Sequence, residues 1–175
     1  NIFHEEKGLN ISLRNITVST CGLTEKIMRF ADDMPQVNLA VSLHAPSDEI
    51  RLKLMPVAKS CSMSELLSVC RKYTEKTHRR ITFEYALIEG VNDSMENAAQ
   101  LAARLRGMLC HVNLIPLNRV SEKDFRGSAR KHAEKFAAVL SSKGIEVTVR
   151  RELGSDISAA CGQLRLAAEG KAEHL

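Results

Sequence analysis

Short strand-like segments alternate with helical segments along almost the whole chain, and this order restricts the fold more than any other feature. Strands are predicted at residues 15–19, 37–44, 81–88, 112–117 and 145–150. Helices are predicted at residues 24–32, 64–76, 94–106 and 128–142, with a shorter one at residues 48–54. Strands joined through helices form a parallel sheet with right-handed crossovers. We therefore predict an α/β fold in which residues 1–175 form a single domain or part of one.

The predicted strands are not apolar throughout. In residues 81–87, Ile, Phe, Tyr and Leu alternate with residues that include Thr82 and Glu84, and residues 15–19, 37–44 and 145–150 alternate similarly. Strands of a parallel sheet with helices on both faces are usually continuously apolar, so one face of this sheet is predicted to be polar. Such a face is typical of a complete or partial barrel that holds a polar ligand. The alternative is that the polar side chains face water at a curved surface.

Candidate ligand-binding residues lie at or near the carboxyl ends of the predicted strands, where the reacting groups of βα barrels gather. Each of them also has a purely structural explanation, so the agreement among several strands counts for more than any single residue. The candidates are Ser19, Ser42, Leu43, His44, Glu84, Asn118, Arg150 and Arg151.

The chemistry of these residues leaves alternatives open. Ser19 could bind a ligand or cap the helix that follows it. His44 could be a turn residue, or could offer a ring nitrogen to a ligand hydroxyl or carboxylate. Glu84 needs a hydrogen-bonding partner if it is buried, either Arg150 or a ligand ribose. Asn118 suits an adenine edge because it both donates and accepts hydrogen bonds, but asparagine is also common in turns.

Cys161 is the best candidate for a catalytic residue. It lies among small residues after the last predicted strand, near Arg150, Arg151 and Asp156 in the sequence. A free cysteine is more often a buried apolar residue, and its reactivity depends on access and thiolate character. No pair among the five cysteines has CxxC or CxxxC spacing, so neither a zinc site nor an iron–sulfur site can be recognised.

Charge and composition leave the partner open. The net charge of +4 at pH 7 permits nucleic-acid binding without requiring it. Residues 119–135 are basic and could clamp a phosphate backbone, although a solvated helix face is the more usual explanation. The chain has no Trp, two Tyr and five Phe, which argues against a base-stacking platform. No apolar run approaches the roughly 20 residues of a membrane span and no leader is recognisable, so we expect reduced thiols in the cytoplasm.

Four motifs match a known pattern. They are NITVSTCG at residues 15–22, VSLHAP at 41–46, NLIPLN at 113–118 and GSDISAACGQL at 154–164. In composition, order and approximate spacing they resemble the RlmN/Cfr family of radical S-adenosylmethionine RNA methyltransferases. The similarity runs from about residue 7 to residue 166, and the last motif is the most specific.

The resemblance implies the C-terminal portion of a partial (β/α)6 radical-SAM barrel. In the RlmN branch such an enzyme methylates adenine carbon 2 in 23S ribosomal RNA and in some transfer RNAs. Cys161 would become S-methylated, a radical formed from a second S-adenosylmethionine at a [4Fe–4S] cluster would act on that methyl group, and a second cysteine would resolve the RNA adduct through a disulfide. An electron donor such as flavodoxin would be needed. The residues expected to contact S-adenosylmethionine are Ser19, Ser42, Leu43, His44 and Asn118.

Several parts of the family pattern lie N-terminal to the matched region. These are the CxxxCxxC cluster motif, the resolving cysteine, the acidic proton acceptor and a Gly-Glu-Pro motif. The chain also begins at Asn1 rather than Met. We therefore expect the C-terminal half of a catalytic barrel that lacks the N-terminal cluster-binding part, has no metal ligand of its own and is inactive alone.

Other expectations concern the remaining cysteines, the first strand and competing functions. The cysteines at positions 21, 61, 70 and 110 are expected to be structural. An open sheet edge at residues 15–19 would favour dimerisation or aggregation. The alternative functions are a Cfr-like methyltransferase acting on adenine carbon 8, a non-catalytic RNA-binding βα domain and an unrelated βα-barrel lyase or aldolase.

Overall fold

Five parallel strands form one sheet in the computed structural model, which describes residues 9–116 and 127–150. The strands are β1 (Thr17–Thr20), β2 (Asn38–Ser42), β3 (Ile81–Leu87), β4 (Cys110–Pro116) and β5 (Glu146–Val149). The helices are α1 (Thr24–Asp33), α2 (Asp48–Leu54), α3 (Met63–Thr77), α4 (Met95–Leu105) and α5 (Arg130–Ser142), with 3-10 turns at Leu13–Asn15 and Pro56–Lys59. The predicted α/β fold, with parallel strands alternating with helices, is confirmed.

The strands lie in the sheet in the same order as in the sequence. Right-handed crossovers that always advance in one direction place every connecting helix on the same face. The burial of β3 agrees, because Ile81, Phe83, Tyr85 and Leu87 are fully buried while the residues between them are partly exposed. The predicted division into an apolar, helix-covered face and a polar face is therefore present in the described residues.

The core lies between the sheet and its helices. Leu66 and Tyr73 from α3, Leu101 from α4 and Phe136 from α5 are fully buried in one hydrophobic cluster. The rings of Tyr85 and Phe136 lie 5.4 Å apart between centroids. Burial of such large side chains, each worth about 1.5–3 kcal/mol, keeps the helices on this face and leaves the opposite face available for other contacts.

Serine side chains define the beginnings of three helices. The hydroxyls of Ser47, Ser62 and Ser94 accept hydrogen bonds from backbone N–H groups in the first turns of α2, α3 and α4. Ser94 also forms a reciprocal capping box with Asn97. A capping serine lies just outside its helix, so α4 begins at Met95 and not at the predicted residue 94.

Strand β2 is shorter than predicted, and strand β1 is more exposed. Strand β2 ends at Ser42, because the backbone N–H groups of Leu43 and His44 both donate to the carbonyl of Glu84 and turn the chain out of the ladder. Val18 of β1 lies on the helix-covered face, as the alternation in residues 15–19 predicts, because it pairs with the buried Leu39, but it is 41% exposed. Strand β1 is one of the two edges of the described sheet, and α1 packs against α3. None of the described helices is long and apolar enough to cross a membrane.

Candidate functional site

Glu84 brings two of the predicted ligand-binding residues together at the carboxyl edge of the sheet. The hydroxyls of Ser19 and Ser42 donate hydrogen bonds to its Oε2 atom over 3.0 Å and 3.3 Å. Strand pairing explains the meeting, because Ser42 and Glu84 are direct neighbours in the parallel register of β2 and β3. The three side chains therefore form one polar group on the face that the described helices leave uncovered.

The structure does not support the capping alternative for Ser19 or the Arg150 alternative for Glu84. Leu23 occupies the N-cap position of α1 and makes no side-chain capping bond, so Ser19 does not cap that helix. The hydrogen-bonding partners of Glu84 are the two serine hydroxyls, and no hydrogen bond or ion pair joins it to Arg150 within the described residues. The carboxylate retains further acceptor capacity, since each of its oxygens can accept more than one hydrogen bond.

His44 is held beside this group in an uncommon conformation. Its φ angle is 56°, and its Nδ1 atom accepts a hydrogen bond of 3.0 Å from the backbone N–H of Ala86. When Nδ1 of a neutral imidazole is the acceptor, the ring hydrogen is on Nε2. His44 therefore presents an N–H donor and not a second acceptor.

The protonation of His44 agrees with this assignment. Burial lowers the pKa of His44 from its ordinary value, Glu84 opposes that shift, and Arg51 adds to it. The imidazole is consequently neutral at neutral pH. A neutral donor beside a carboxylate with two serine hydroxyls suits a ligand that carries both hydroxyl and acceptor groups.

Leu43 contributes differently from its neighbours. Its side chain is fully buried in the core, so contact with a ligand falls to its backbone. The positions of Asn118 and Cys161 lie outside the described residues, as do Arg151 and Asp156. The roles assigned to all of these residues stay predictions.

Arg51 was missed in the sequence, although it supports the loop after β1. Its guanidinium is fully buried and donates to the carbonyls of Cys21 and Cys61 over 2.8 Å and 3.3 Å. Gly22, with φ of 103°, lies so close that an added Cβ atom would be 3.1 Å from the Nη2 atom of Arg51. Nothing in the sequence indicates that an arginine in a helix is buried. The available signal was Gly22, because glycine often occupies positions with positive φ where the backbone is closely approached.

Asn92 and Asp93 were also missed, and they organise the loop between β3 and α4. Asn92 is fully buried and bonded to three backbone groups, while Asp93 accepts hydrogen bonds from the N–H of Gly90 and the hydroxyl of Ser128. The available signal was the adjacent Asn and Asp after a strand, a pair common in side-chain-bonded turns. Ser128 was predicted to begin α5, but its hydroxyl is used on Asp93 and the helix begins at Arg130.

The polar face also has a cavity of about 410 Å³, but at the opposite, amino-terminal edge of the sheet. The guanidinium of Arg79 donates to Oδ1 of Asn38 there over 2.5 Å, and Arg80 forms an ion pair with Glu146. In βα barrels this edge contributes to stability and the carboxyl edge to chemistry. We therefore place the candidate site at Glu84 and not at the cavity.

Three described cysteines are buried and one is exposed. Burial raises the pKa of Cys61, raises that of Cys70 to about 12 and raises that of Cys110 to about 11. These thiols are protonated at neutral pH and suit structural roles. Cys21 is exposed in the loop after β1, so burial does not support a structural role there. No cluster of metal-binding side chains occurs in the described part of the chain.

No protein-family model matches the chain, but individual relatives do. It is 57% identical over 164 residues to a Clostridium perfringens protein named probable dual-specificity RNA methyltransferase RlmN. It is 54% identical over 160 residues to the protein of that name from Clostridium tetani. Over almost its whole length the chain is similar to these two proteins named RlmN. The alignments cover 94% and 91% of this chain but 47% and 46% of the two relatives, so it spans about half of their length.

Two solved structures are also similar to this chain. A radical SAM methyltransferase from Sphaerobacter thermophilus is 52% identical, superposes with a TM-score of 0.88, and is matched over 93% of this chain and 48% of its own. A domain of pyruvate-formate lyase-activating enzyme from Bacteroides vulgatus has a TM-score of 0.61 at 16% identity, over 77% of this chain and 80% of that one. The second likeness concerns the fold alone. Both agree with part of a radical-SAM barrel.

Proposed function

We propose that this chain is the S-adenosylmethionine-binding half of the catalytic barrel of an RlmN-type RNA methyltransferase. The observation that carries the proposal is the group formed by Glu84, Ser19 and Ser42 beside the neutral His44 donor. This group lies at the carboxyl edge of a parallel sheet whose helices cover only the other face, where βα barrels bind their ligands.

The donor and acceptor groups fit S-adenosylmethionine. Its ribose hydroxyls can donate to the Glu84 carboxylate, and its amino-acid carboxylate can accept from the Nε2–H of His44. Backbone atoms of Leu43 and the side chain of Asn118 complete the proposed set. When bound, S-adenosylmethionine supplies the transferred methyl group and, with a [4Fe–4S] cluster, the radical chemistry.

The residues of this chain bind and orient S-adenosylmethionine and accept its methyl group. Glu84 fixes the rotamers of both serines before the ligand arrives, which lowers the entropic cost of binding. His44 stays neutral and keeps its donor fixed because Nδ1 is already engaged. Cys161 receives the methyl group on sulfur and holds it for the RNA base. The cluster ligands belong outside this chain, because its cysteines do not have the CxxxCxxC spacing.

The substrate is adenine carbon 2 in 23S ribosomal RNA and in transfer RNA, and the electron donor is a flavodoxin-type protein in the cytoplasm. The basic residues at 119–135 support an RNA partner, because Arg130, Lys131 and Lys135 are exposed on α5. A phosphate backbone would be attracted to such a surface. The half-barrel alone is inactive, because the cluster ligands lie outside this chain.

The experiment is methylation by the full-length enzyme. Reconstituted enzyme is incubated with reductant, S-adenosylmethionine and unmodified 23S RNA, and the digested nucleosides are identified by chromatography and mass spectrometry. We expect 2-methyladenosine from the wild type, none from Cys161→Ala, and an almost unchanged amount from the buried control Cys110→Ala. Product from Cys161→Ala at the wild-type rate would refute the role of that thiol. A methyl group on carbon 8 would identify a Cfr-like enzyme.

A further inference from the structure

The side-chain amide of Asn92 makes three hydrogen bonds to backbone groups, and both of its N–H donors are used. Its Oδ1 atom accepts from the N–H of Ile88 over 2.7 Å. Its Nδ2 group donates to the carbonyls of Ala86 and His44 over 2.7 Å and 2.8 Å. The residue is fully buried, and its own carbonyl accepts from the hydroxyl of Tyr85 over 2.7 Å.

Two of these bonds make the amide a substitute for a neighbouring strand. A strand beside β3 would accept from one backbone N–H and donate to the carbonyl two residues earlier, as Asn92 does with Ile88 and Ala86. Strand β2 has already left the ladder at Ser42, so its backbone no longer makes these bonds. The third bond, to His44, ties the departing chain to the same amide.

His44 requires such support because of its backbone. A φ of 56° is unusual for a residue with a side chain and persists only where the surroundings hold it. The N–H of His44 donates to Glu84 and its Nδ1 accepts from Ala86, but its carbonyl is bonded only by Asn92 among the described residues. The bond from Asn92 fixes the peptide group that leaves Cα of His44, the atom that carries the imidazole.

We propose that Asn92 is a positioning residue that fixes His44, and hence its Nε2–H donor, for binding S-adenosylmethionine. The inference depends on the proposed function, in which His44 contacts that ligand. Asn92 itself lies behind the turn and does not touch the ligand. Asp93 keeps the loop in place from the other side through Gly90 and Ser128.

The test measures S-adenosylmethionine affinity of the full-length enzyme by calorimetry. Asn92→Asp keeps the size and the acceptor for Ile88 but turns a carboxylate oxygen toward the carbonyls of His44 and Ala86. We expect the dissociation constant to rise about tenfold. Tyr85→Phe keeps the buried ring and removes only the bond to the Asn92 carbonyl, so we expect a smaller rise of about twofold to threefold.

The matched control is Asn97→Ala. Asn97 lies in the first turn of α4, and its substitution removes the capping bond from the N–H of Ser94, but it contacts Ser94 and not His44. Its affinity for S-adenosylmethionine should stay within about twofold of the wild type. The imidazole resonances of His44 provide a second readout, which should move in both the Asn92 and Tyr85 variants and stay unchanged in the control.

The outcomes separate the inference from the proposed function. If His44→Ala weakens binding but Asn92→Asp and Tyr85→Phe behave like the control, the positioning role is wrong and the ligand site stands. If His44→Ala leaves the affinity unchanged, His44 does not contact the ligand and both proposals about it fail. Thermal unfolding of each variant identifies any that do not fold, in which case Tyr85→Phe and the His44 resonances decide.

Discussion

Substitution of Gly22 by alanine tests the close approach between the loop after β1 and α3. The φ of Gly22 is 103°, and an added Cβ would lie 3.1 Å and 3.2 Å from the two methyl carbons of Leu66 and 3.1 Å from Arg51. The backbone conformation alone costs a residue with a side chain about 1–2 kcal/mol. Overpacking adds about 1–3 kcal/mol. We therefore expect Gly22→Ala to lower the free energy of unfolding by about 2–5 kcal/mol.

Gly107 supplies the matched control. Its φ of 72° is also positive, but an added Cβ would meet nothing within 4 Å. Gly107→Ala should therefore cost only the backbone part, about 1–2 kcal/mol. Urea unfolding followed by circular dichroism measures both variants on the same scale, and an unchanged slope shows that the midpoints can be compared.

A double-mutant cycle with Leu66→Ala separates the two contributions. Without the Leu66 methyl carbons, Gly22→Ala should lose much of its excess cost, so that the two substitutions are non-additive by at least about 1 kcal/mol. Equal losses for Gly22→Ala and Gly107→Ala, or full additivity with Leu66→Ala, would refute the argument from crowding.

Three further predictions concern thiols, pH and association. Among the four described cysteines, Cys21 should react with iodoacetamide first and Cys70 last in peptide mass spectrometry, because Cys21 is exposed and burial raises the pKa of Cys70 to about 12. The reverse order would contradict this. Burial lowers the pKa of His44, so on acidification the unfolded chain binds a proton at a higher pH than the folded chain does. The free energy of unfolding should therefore fall as the pH drops below 6.5 and through the pKa of His44 in the folded chain. The urea midpoint of His44→Gln should depend less on pH. The isolated chain should elute as a dimer or larger species in size-exclusion chromatography, because β1 is an edge strand in the described sheet; a monomer would contradict this expectation.

The sequence pattern was sufficient to predict how the sheet is covered. Alternation in β3 placed Phe83 and Tyr85 on one face and Glu84 on the other, and the period of two in a strand makes that assignment reliable. The same logic placed Ser19 and Ser42 at one edge, where the structure joins them through Glu84. The exposure of Val18 could not be predicted, because alternation gives the face of a residue but does not reveal which strand lies at an edge.

The support of His44 could not be predicted in the same way. Its turn out of β2 depends on hydrogen bonds with Glu84, Ala86 and Asn92, which lie far from it in the sequence. A strand pattern continues through residues 43 and 44 because nothing local interrupts it. Asn92 looks like an ordinary turn residue until the backbone groups that it satisfies are known, and Arg51 looks like a surface residue of a short helix.

The affinity of the full-length enzyme for S-adenosylmethionine in Glu84→Gln tests the central claim most directly. Glu84 and Glu146 are carboxylates on the polar face of the sheet, one near the carboxyl edge with the serines and one at the amino-terminal edge paired with Arg80. We predict that Glu84→Gln weakens binding about tenfold or more, while Glu146→Gln stays within about twofold of the wild type. Equal affinities in the two variants, or a larger loss in Glu146→Gln, would contradict the placement of the ligand at the carboxyl edge.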